Sequence, residues 1–275
     1  MAAPGTAHAP DPQPAGAAGA PAEHVQRDQP SGVPALELTG ERTLPDVPAE
    51  NYWFRRHLVV YEWIADRVRG SRVIDMACGE GYGSDALARS GASVVGVEAN
   101  PEAYEHARLR YLRANLRFER ALVESFAEPA DAVVFLQTIE HLGDPGAALA
   151  HFRSLVGGDG AVYVSTPNVL TLAPAGAERS GNPWHVHEYR SGEFERLCRA
   201  HFAGVEMYGL FHARRLRAHE LALKLGWDTA HRRLGLTDAF YGRFTPAIST
   251  RDFALRPAAE ADLDRALDFI AVCRG

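Results

Sequence analysis

Residues 73–85 read VIDMACGEGYGSD, and residues 94–100 read VVGVEAN. The first stretch is the end of a short apolar run, Arg72 to Met76, that carries Asp75 and breaks into a turn holding Gly79, Gly81 and Gly83. A helical segment running to about Arg89 follows, and then a second apolar run, Ser93 to Glu98, again ending in an acid. Short apolar runs bounded by glycine turns and separated by helices predict parallel strands covered on both faces. Glycine permits positive φ and close backbone approach, so a ligand can rest on such a turn at the helix N-terminus. A dinucleotide site would carry G-x-G-x-x-G, but Ser84 stands three residues after Gly81. Asp75 and Glu80 add negative charge where a pyrophosphate would sit, which disfavours NAD and suits a cofactor with a cationic amino group. Glu98, nineteen residues after Gly79, is placed to accept hydrogen bonds from two ribose hydroxyls.

The alternation continues downstream. NPEAYEHARLRYL predicts a helix, NLRFERAL a strand, DAVVFLQ (Asp131 to Gln137) a strand, GDPGAALAHFRSLV a helix and GAVYVSTPN (Gly160 to Asn168) a strand. The pattern then changes to a loop at about 169–190, a helix from Ser191, a strand at Val205 to Ala213 and a helical insertion at about 214–245. Ile248 to Arg256 predicts an edge strand. The closing AEADLDRALDFIAVCR, with apolar Leu263, Ala266, Leu267, Phe269, Ile270 and Val272, predicts a docked amphipathic helix. Upstream, Pro48 to Val68 spaces its aromatic and aliphatic residues helically. That helix packs on the core, and its first turn, with Tyr52, Arg55, Arg56 and His57, is also placed to close over a ligand. Twenty-one of the first 35 residues are Ala, Pro or Gly, which predicts a disordered leader over 1–34 and a folded domain over 35–275.

The 275 residues are 46% hydrophobic and 23% charged, with a formal net charge of -6. That is an ordinary globular composition, and the acidic balance argues against an extended nucleic-acid footprint. Cys78, Cys198 and Cys273 have no metal-ligand spacing and read as reduced thiols in a cytoplasmic protein. No run approaches the ~20 apolar residues that span a bilayer, and no signal-peptide pattern opens the chain, so membrane insertion is not expected.

VIDMACGEGYGS followed by VVGVEAN resembles the first two motifs of class I S-adenosylmethionine-dependent methyltransferases, over about Leu58 to Phe211. The resemblance implies a Rossmann-like α/β fold: a mostly parallel seven-stranded sheet with helices on both faces. It implies S-adenosylmethionine as cofactor, with Asp75, Ala77, Gly79 and Gly81 lining its methionine part and Glu98 holding the ribose. Ala99 and Asn100 would flank the adenine, Leu122 and Val123 would cradle the ring, and Gln137 would contact the methionyl backbone.

In this fold class ligands bind beyond the carboxyl ends of the parallel strands. FLQTIEHLGDP, Phe135 to Pro145, places Glu140 and His141 on that rim. A hydroxyl that attacks a sulfonium methyl must lose its proton, and His141 has the titration range for a general base; packing or a backbone hydrogen bond at a helix start is the plainer reading. Neighbouring helix residues diverge, so Glu140 is expected to support rather than pair with it. NPWHVHEYR, Asn182 to Arg190, would set His185 and His187 on one side if extended. Trp184 and Tyr189 add flat faces with polar edges. With Tyr52 and His57, these are the candidate acceptor contacts.

This loop resembles those of bacterial sugar and glycan methyltransferases. The nearest likeness is to actinobacterial sugar O-methyltransferases of mycobacterial methylmannose polysaccharide assembly, including the one that caps the 1-hydroxyl. The expected acceptor is a small sugar or oligosaccharide. Alternatives are a quinone, phenol or other lipid-like hydroxyl, and a non-catalytic cofactor-binding protein. Glu140, His141, His185 and His187 have no recognised chelate spacing, and hard oxygen ligands for magnesium are sparse, so metal-independent catalysis is expected. A homodimer is compatible with the chain.

Overall fold

The computed structural model describes residues 23–27, 29–38, 42–174 and 176–275. Ten strands occur among them: β1 Glu23–His24, β2 Leu36–Glu37, β3 Arg72–Met76, β4 Ser93–Glu98, β5 Leu116–Arg120, β6 Ala130–Leu136, β7 Val156–Pro167, β8 Gly204–His212, β9 Phe253–Pro257 and β10 Asp268–Arg274. The helices are α1 Asn51–Ala65, α2 Tyr82–Arg89, α3 Pro101–Arg110, α4 Pro145–Leu155, α5 Val169–Leu172, α6 Ser191–Arg199, α7 Arg214–Lys224, α8 Trp227–Arg233 and α9 Thr237–Phe244.

The main sheet runs β5-β4-β3-β6-β7-β10-β8-β9. Strands β3 to β7 pair in parallel, and β10 lies antiparallel between β7 and β8. This is the α/β Rossmann-like fold expected, with eight strands in the sheet instead of seven, because β9 adds an antiparallel edge to β8. The chain steps outward from β3 through β4 to β5 and then returns to β6 on the other side of β3, so a crevice opens at the carboxyl ends of these strands.

Local chemistry explains the helix starts nearest that crevice. Asn100 accepts from the N–H groups of Glu102 and Ala103 at 3.0 and 2.9 Å, ahead of Pro101. Asp144 accepts from the Ala147 N–H at 2.9 Å, ahead of Pro145. A short polar N-cap followed by proline satisfies first-turn donors and presets the backbone. α1 buries Phe54, Val60, Tyr61 and Ile64, and the buried Arg56 makes a two-pronged pair with Asp268 of β10 at 2.6 and 2.8 Å.

The C-terminal segment corrects its expectation. Residues 263–265 form a single 3₁₀ turn and 268–274 are strand, with no docked helix. Phe269, Ile270, Ala271, Val272 and Cys273 are all buried. A strand covered on both faces reads as a continuous apolar run, whose periodicity does not separate it from a buried helix.

The expected leader also meets the structure differently. Residues 1–22 and 28 lie outside the described residues, but 23–27 and 29–34 are described and touch the domain. Gln26 is buried and donates through Nε2 to Glu80 at 2.6 Å, and the Pro34 carbonyl accepts from His106 at 2.7 Å. Composition missed this because a few polar bonds, rather than apolar area, hold the segment.

Candidate active site

The turn after β3 is shaped by backbone conformation. Ala77 and Gly79 adopt φ of 54° and 57°, and Gln137, at the end of β6, adopts 51°. Non-glycine residues in the left-handed region are costly and cluster where a backbone is set for a ligand. A Cβ on Gly79 would meet nothing within 4 Å, so this glycine faces open space. Gly81 does not. A Cβ there would lie 2.8 Å from the Ala107 methyl, so close helix packing requires glycine at this position.

Asp75 is likewise inside. Its Oδ2 accepts from Ser84 at 2.6 Å and its Oδ1 from Tyr61 at 3.1 Å, with the residue fully buried. The residue in place of the third dinucleotide glycine thus secures the strand-end acid. Burial raises the Asp75 carboxyl to about 7, against the opposing pull of the Ser84 and Tyr61 hydroxyls. Glu80 is also buried, held by Gln26, by the Tyr111 hydroxyl at 2.8 Å and by the Tyr82 N–H at 3.0 Å. Neither acid lies exposed in the turn, so the charge argument against a pyrophosphate loses both its members. Cys78 is a buried thiol pushed up by that burial.

The raised Asp75 value has a measurable consequence. A carboxyl protonated more readily in the folded state favours folding below its unfolded pKa, and that favour is lost as pH rises through the folded value. Unfolding free energy relative to Asp75→Asn is therefore expected to fall between about pH 4 and pH 7, by about 1–4 kcal/mol. Denaturant titrations of both proteins across that range check it. Parallel pH profiles would mean that Asp75 stays ionised.

Glu98 stands at the end of β4, beside the glycine turn. Its Oε2 accepts from the Gly79 N–H and its Oε1 from the Asn100 N–H, both at 2.8 Å. The carboxylate is thereby fixed at the end of β4, and each oxygen keeps lone-pair capacity for a hydroxyl donor. Ala99 and Asn100 are exposed beside it, and the Asn100 side chain is committed to capping α3. Leu122 is 56% exposed and Val123 is half-buried; both follow β5. Gln137 donates through Nε2 to the Ser165 hydroxyl at 3.0 Å.

Past Gln137 the chain makes a three-residue 3₁₀ turn, Ile139–His141. The expectation that Glu140 and His141 diverge assumed an α-helix. Here Glu140 Oε1 and His141 Nε2 are 4.0 Å apart, and the His185 ring lies 5.1 Å from that of His141. The buried Glu140 accepts through its backbone carbonyl from the N–H groups of Val186 and His187 at 2.9 and 3.0 Å. Those two bonds fasten the 182–190 loop to the 3₁₀ turn.

The same loop separates residues that alternation would group. His185 faces His141, whereas His187 lies near Tyr189, with ring centroids 6.1 Å apart. Tyr189 is 8% exposed and packs against Phe194. Trp184 is 64% exposed and touches the corner through its carbonyl, which accepts from His141 Nδ1 at 3.0 Å. His57 sits beside the Arg56–Asp268 pair, and burial lowers it to about 4 against the pull of Asp268.

Tyr52 does border a cavity, of about 840 Å³, together with Trp53, His212, Glu220, Tyr241 and Phe244. His212 Nε2 is 2.7 Å from the Tyr52 hydroxyl, and its Nδ1 is 2.6 Å from Glu220. Sequence reading missed His212 and Glu220, because only the docking of α7 beside β8 brings them to Tyr52.

A family described as "methyltransferase domain" matches residues 52–197, more than half of the chain. The chain belongs to this family. The methyltransferase is 36% identical over 246 residues to a probable S-adenosylmethionine-dependent methyltransferase of Mycolicibacterium smegmatis, covering 86% of this chain and 95% of that protein. It is 35% identical over 158 residues to a ubiquinone biosynthesis O-methyltransferase of Albidiferax ferrireducens, covering 50% of this chain and 63% of that one. Its fold matches an S-adenosylmethionine-dependent methyltransferase from Mesorhizobium loti with a TM-score of 0.52 at 18% identity, over 78% and 98% of the two chains. The protein is a class I S-adenosylmethionine-dependent methyltransferase, and it binds that cofactor. The open backbone at Gly79 and the fixed Glu98 carboxylate fit the cofactor's methionine and ribose parts. Among the described residues no helix is long and apolar enough to cross a membrane.

Proposed function

We propose that this methyltransferase methylates a hydroxyl of a small molecule, with the hydroxyl proton removed at the corner formed by Glu140, His141 and His185. S-adenosylmethionine supplies a methyl group activated by its sulfonium. The chain's own task is to align the acceptor oxygen and to accept its proton as charge develops. The observation that carries the reading is the convergence of Glu140, His141 and His185 within 4.8 Å, just beyond the strand end at Gln137. Gly79, Ala77 and Gln137 would hold the methionine part, with Glu98 on the ribose and Ala99, Leu122 and Val123 around the adenine.

A phenolic or quinol acceptor is the reading the relatives favour, since the Albidiferax protein is a ubiquinone biosynthesis O-methyltransferase. A sugar acceptor is kept as a second reading on one observation. The cavity beside Tyr52 mixes Trp53 and Tyr241 with Arg217, Glu220, Glu260 and Asp262, and such amphipathic aromatics beside charged groups suit polyhydroxyl ligands. The test is an acceptor screen with labelled cofactor against catechols, quinols, mannosides, oligosaccharides, amines and carbon nucleophiles. Label transferred to nitrogen or carbon acceptors alone would overturn the hydroxyl reading.

If the cavity takes the acceptor, His212→Ala is expected to raise the acceptor KM by about tenfold, the worth of roughly one hydrogen bond of ~1.4 kcal/mol. Cofactor affinity should not move, because neither His212 nor Glu220 borders the glycine turn. Steady-state kinetics with calorimetry of the cofactor separates the two. An unchanged acceptor KM removes the cavity from the site.

A further inference from the structure

We propose that Glu140, His141 and His185 form a binding site for one divalent first-row transition ion, of the zinc class. Their ligand atoms all lie within 4.8 Å of one another, although the three residues have no chelate spacing in sequence. The structure also settles which ring nitrogens face the corner. A carbonyl can only accept, so His141 Nδ1, 3.0 Å from the Trp184 oxygen, carries the proton and Nε2 keeps its lone pair. Glu188 does the same for His185, with Oε1 3.0 Å from Nδ1. A carboxylate accepts, and Ser180 already donates to Glu188 through both its hydroxyl and its N–H, so Glu188 is the acceptor for the His185 proton. Asn182 Nδ2, 3.1 Å from His185 Nε2, donates to that nitrogen and would give way to an ion.

Two imidazole acceptors and a carboxylate thus point into one corner. Each imidazole has its other nitrogen bonded to a carbonyl or a carboxylate, the arrangement by which proteins fix the tautomer and raise the basicity of metal-binding histidines. The scaffold is braced as well: the two N–H bonds to the Glu140 carbonyl tie the loop carrying His185 to the turn carrying the other two ligands. Neighbouring ligands of a tetrahedral ion at 2.0–2.1 Å lie about 3.3 Å apart. The 4.0 Å between Glu140 Oε1 and His141 Nε2 therefore needs a contraction of roughly 1 Å or less, within the reach of side-chain rotation.

Imidazole ligands suit zinc, copper, iron(II) or nickel, whereas magnesium, calcium and manganese ask for oxygen. Three protein ligands would leave a coordination position for an acceptor oxygen, and the ion's charge there would lower the pKa of a hydroxyl as it does that of bound water. That role in turnover rests on the hydroxyl reading above; the binding of the ion does not.

The test uses the full chain, stripped with chelator and titrated with zinc chloride by calorimetry and with cobalt(II) by visible absorption. One equivalent should bind, with cobalt d–d bands of a low-symmetry site. His185→Ala and His141→Ala should each weaken binding at least about 100-fold, and Glu188→Gln, which leaves every ligand in place, about 10–100-fold. His201→Ala, away from the corner, should change nothing, and circular dichroism confirms the fold of each variant. Binding by His185→Ala as tight as that of the wild type, or no saturable uptake by the full chain, overturns the site. Failure of the acceptor screen alone bears on the hydroxyl reading and leaves the ion titration to be judged on its own.

Discussion

Replacing Glu98 by alanine is expected to lower affinity for S-adenosylmethionine by about 10²–10⁴-fold in a protein that stays folded. The carboxylate is fixed by two backbone donors at 2.8 Å, the N–H groups of Gly79 and Asn100. It therefore needs no rearrangement to accept from two ribose hydroxyls. Hydrogen bonds to a charged group are worth about 1.5–3 kcal/mol each, and every ~1.4 kcal/mol is a factor of ten. Glu98→Asp should recover part of the loss, since the charge remains and only the reach is shortened. Calorimetry with the cofactor and with its homocysteine product measures both variants. An alanine variant that binds as well as the wild type would place the ribose elsewhere.

The place of Glu98 was legible in the sequence because it follows from one repeated local fact, an acid at the end of a strand beside a glycine turn. The sheet was legible for the same reason: each strand–helix unit carries its own signal. What could not be read were matters decided by distant contacts. Gly81 looks like Gly79 in sequence, yet Ala107 of α3 and Phe118 of β5 crowd one of them and not the other. Asp75 looks like a ligand-facing acid until Tyr61 and Ser84 are seen to occupy it. β10 reads as a helix because insertion between β7 and β8 buries both of its faces. The His185 ring reaches His141 only because the Glu140 carbonyl draws the loop back onto the 3₁₀ turn. The Tyr52–His212–Glu220 chain spans three elements far apart in sequence, and no spacing rule could have joined them.

His141→Ala is expected to lower turnover by about 10²–10⁴-fold with cofactor affinity nearly unchanged, because His141 stands on the 3₁₀ turn past β6 with its Nδ1 on the Trp184 carbonyl. Two physical routes lead to that loss, and they part on separate readouts. As a general base, His141 accepts the hydroxyl proton at Nε2, since Nδ1 donates to the Trp184 carbonyl. The variant then keeps any ion bound at the corner, and its residual rate climbs steadily with pH as solvent hydroxide takes over. As a ligand, the same nitrogen holds the ion, and the variant loses the metal together with the rate. Glu140→Gln should cost less on the base route, where the buried carboxylate only supports the ring. On the ligand route it should cost about as much as His141→Ala, since one of three ligands is gone. Rates against pH and metal content, measured on the same preparations, assign the role. A folded His141→Ala enzyme with near-normal turnover would exclude both routes and move the search for the proton acceptor to His185, His187 or Glu140.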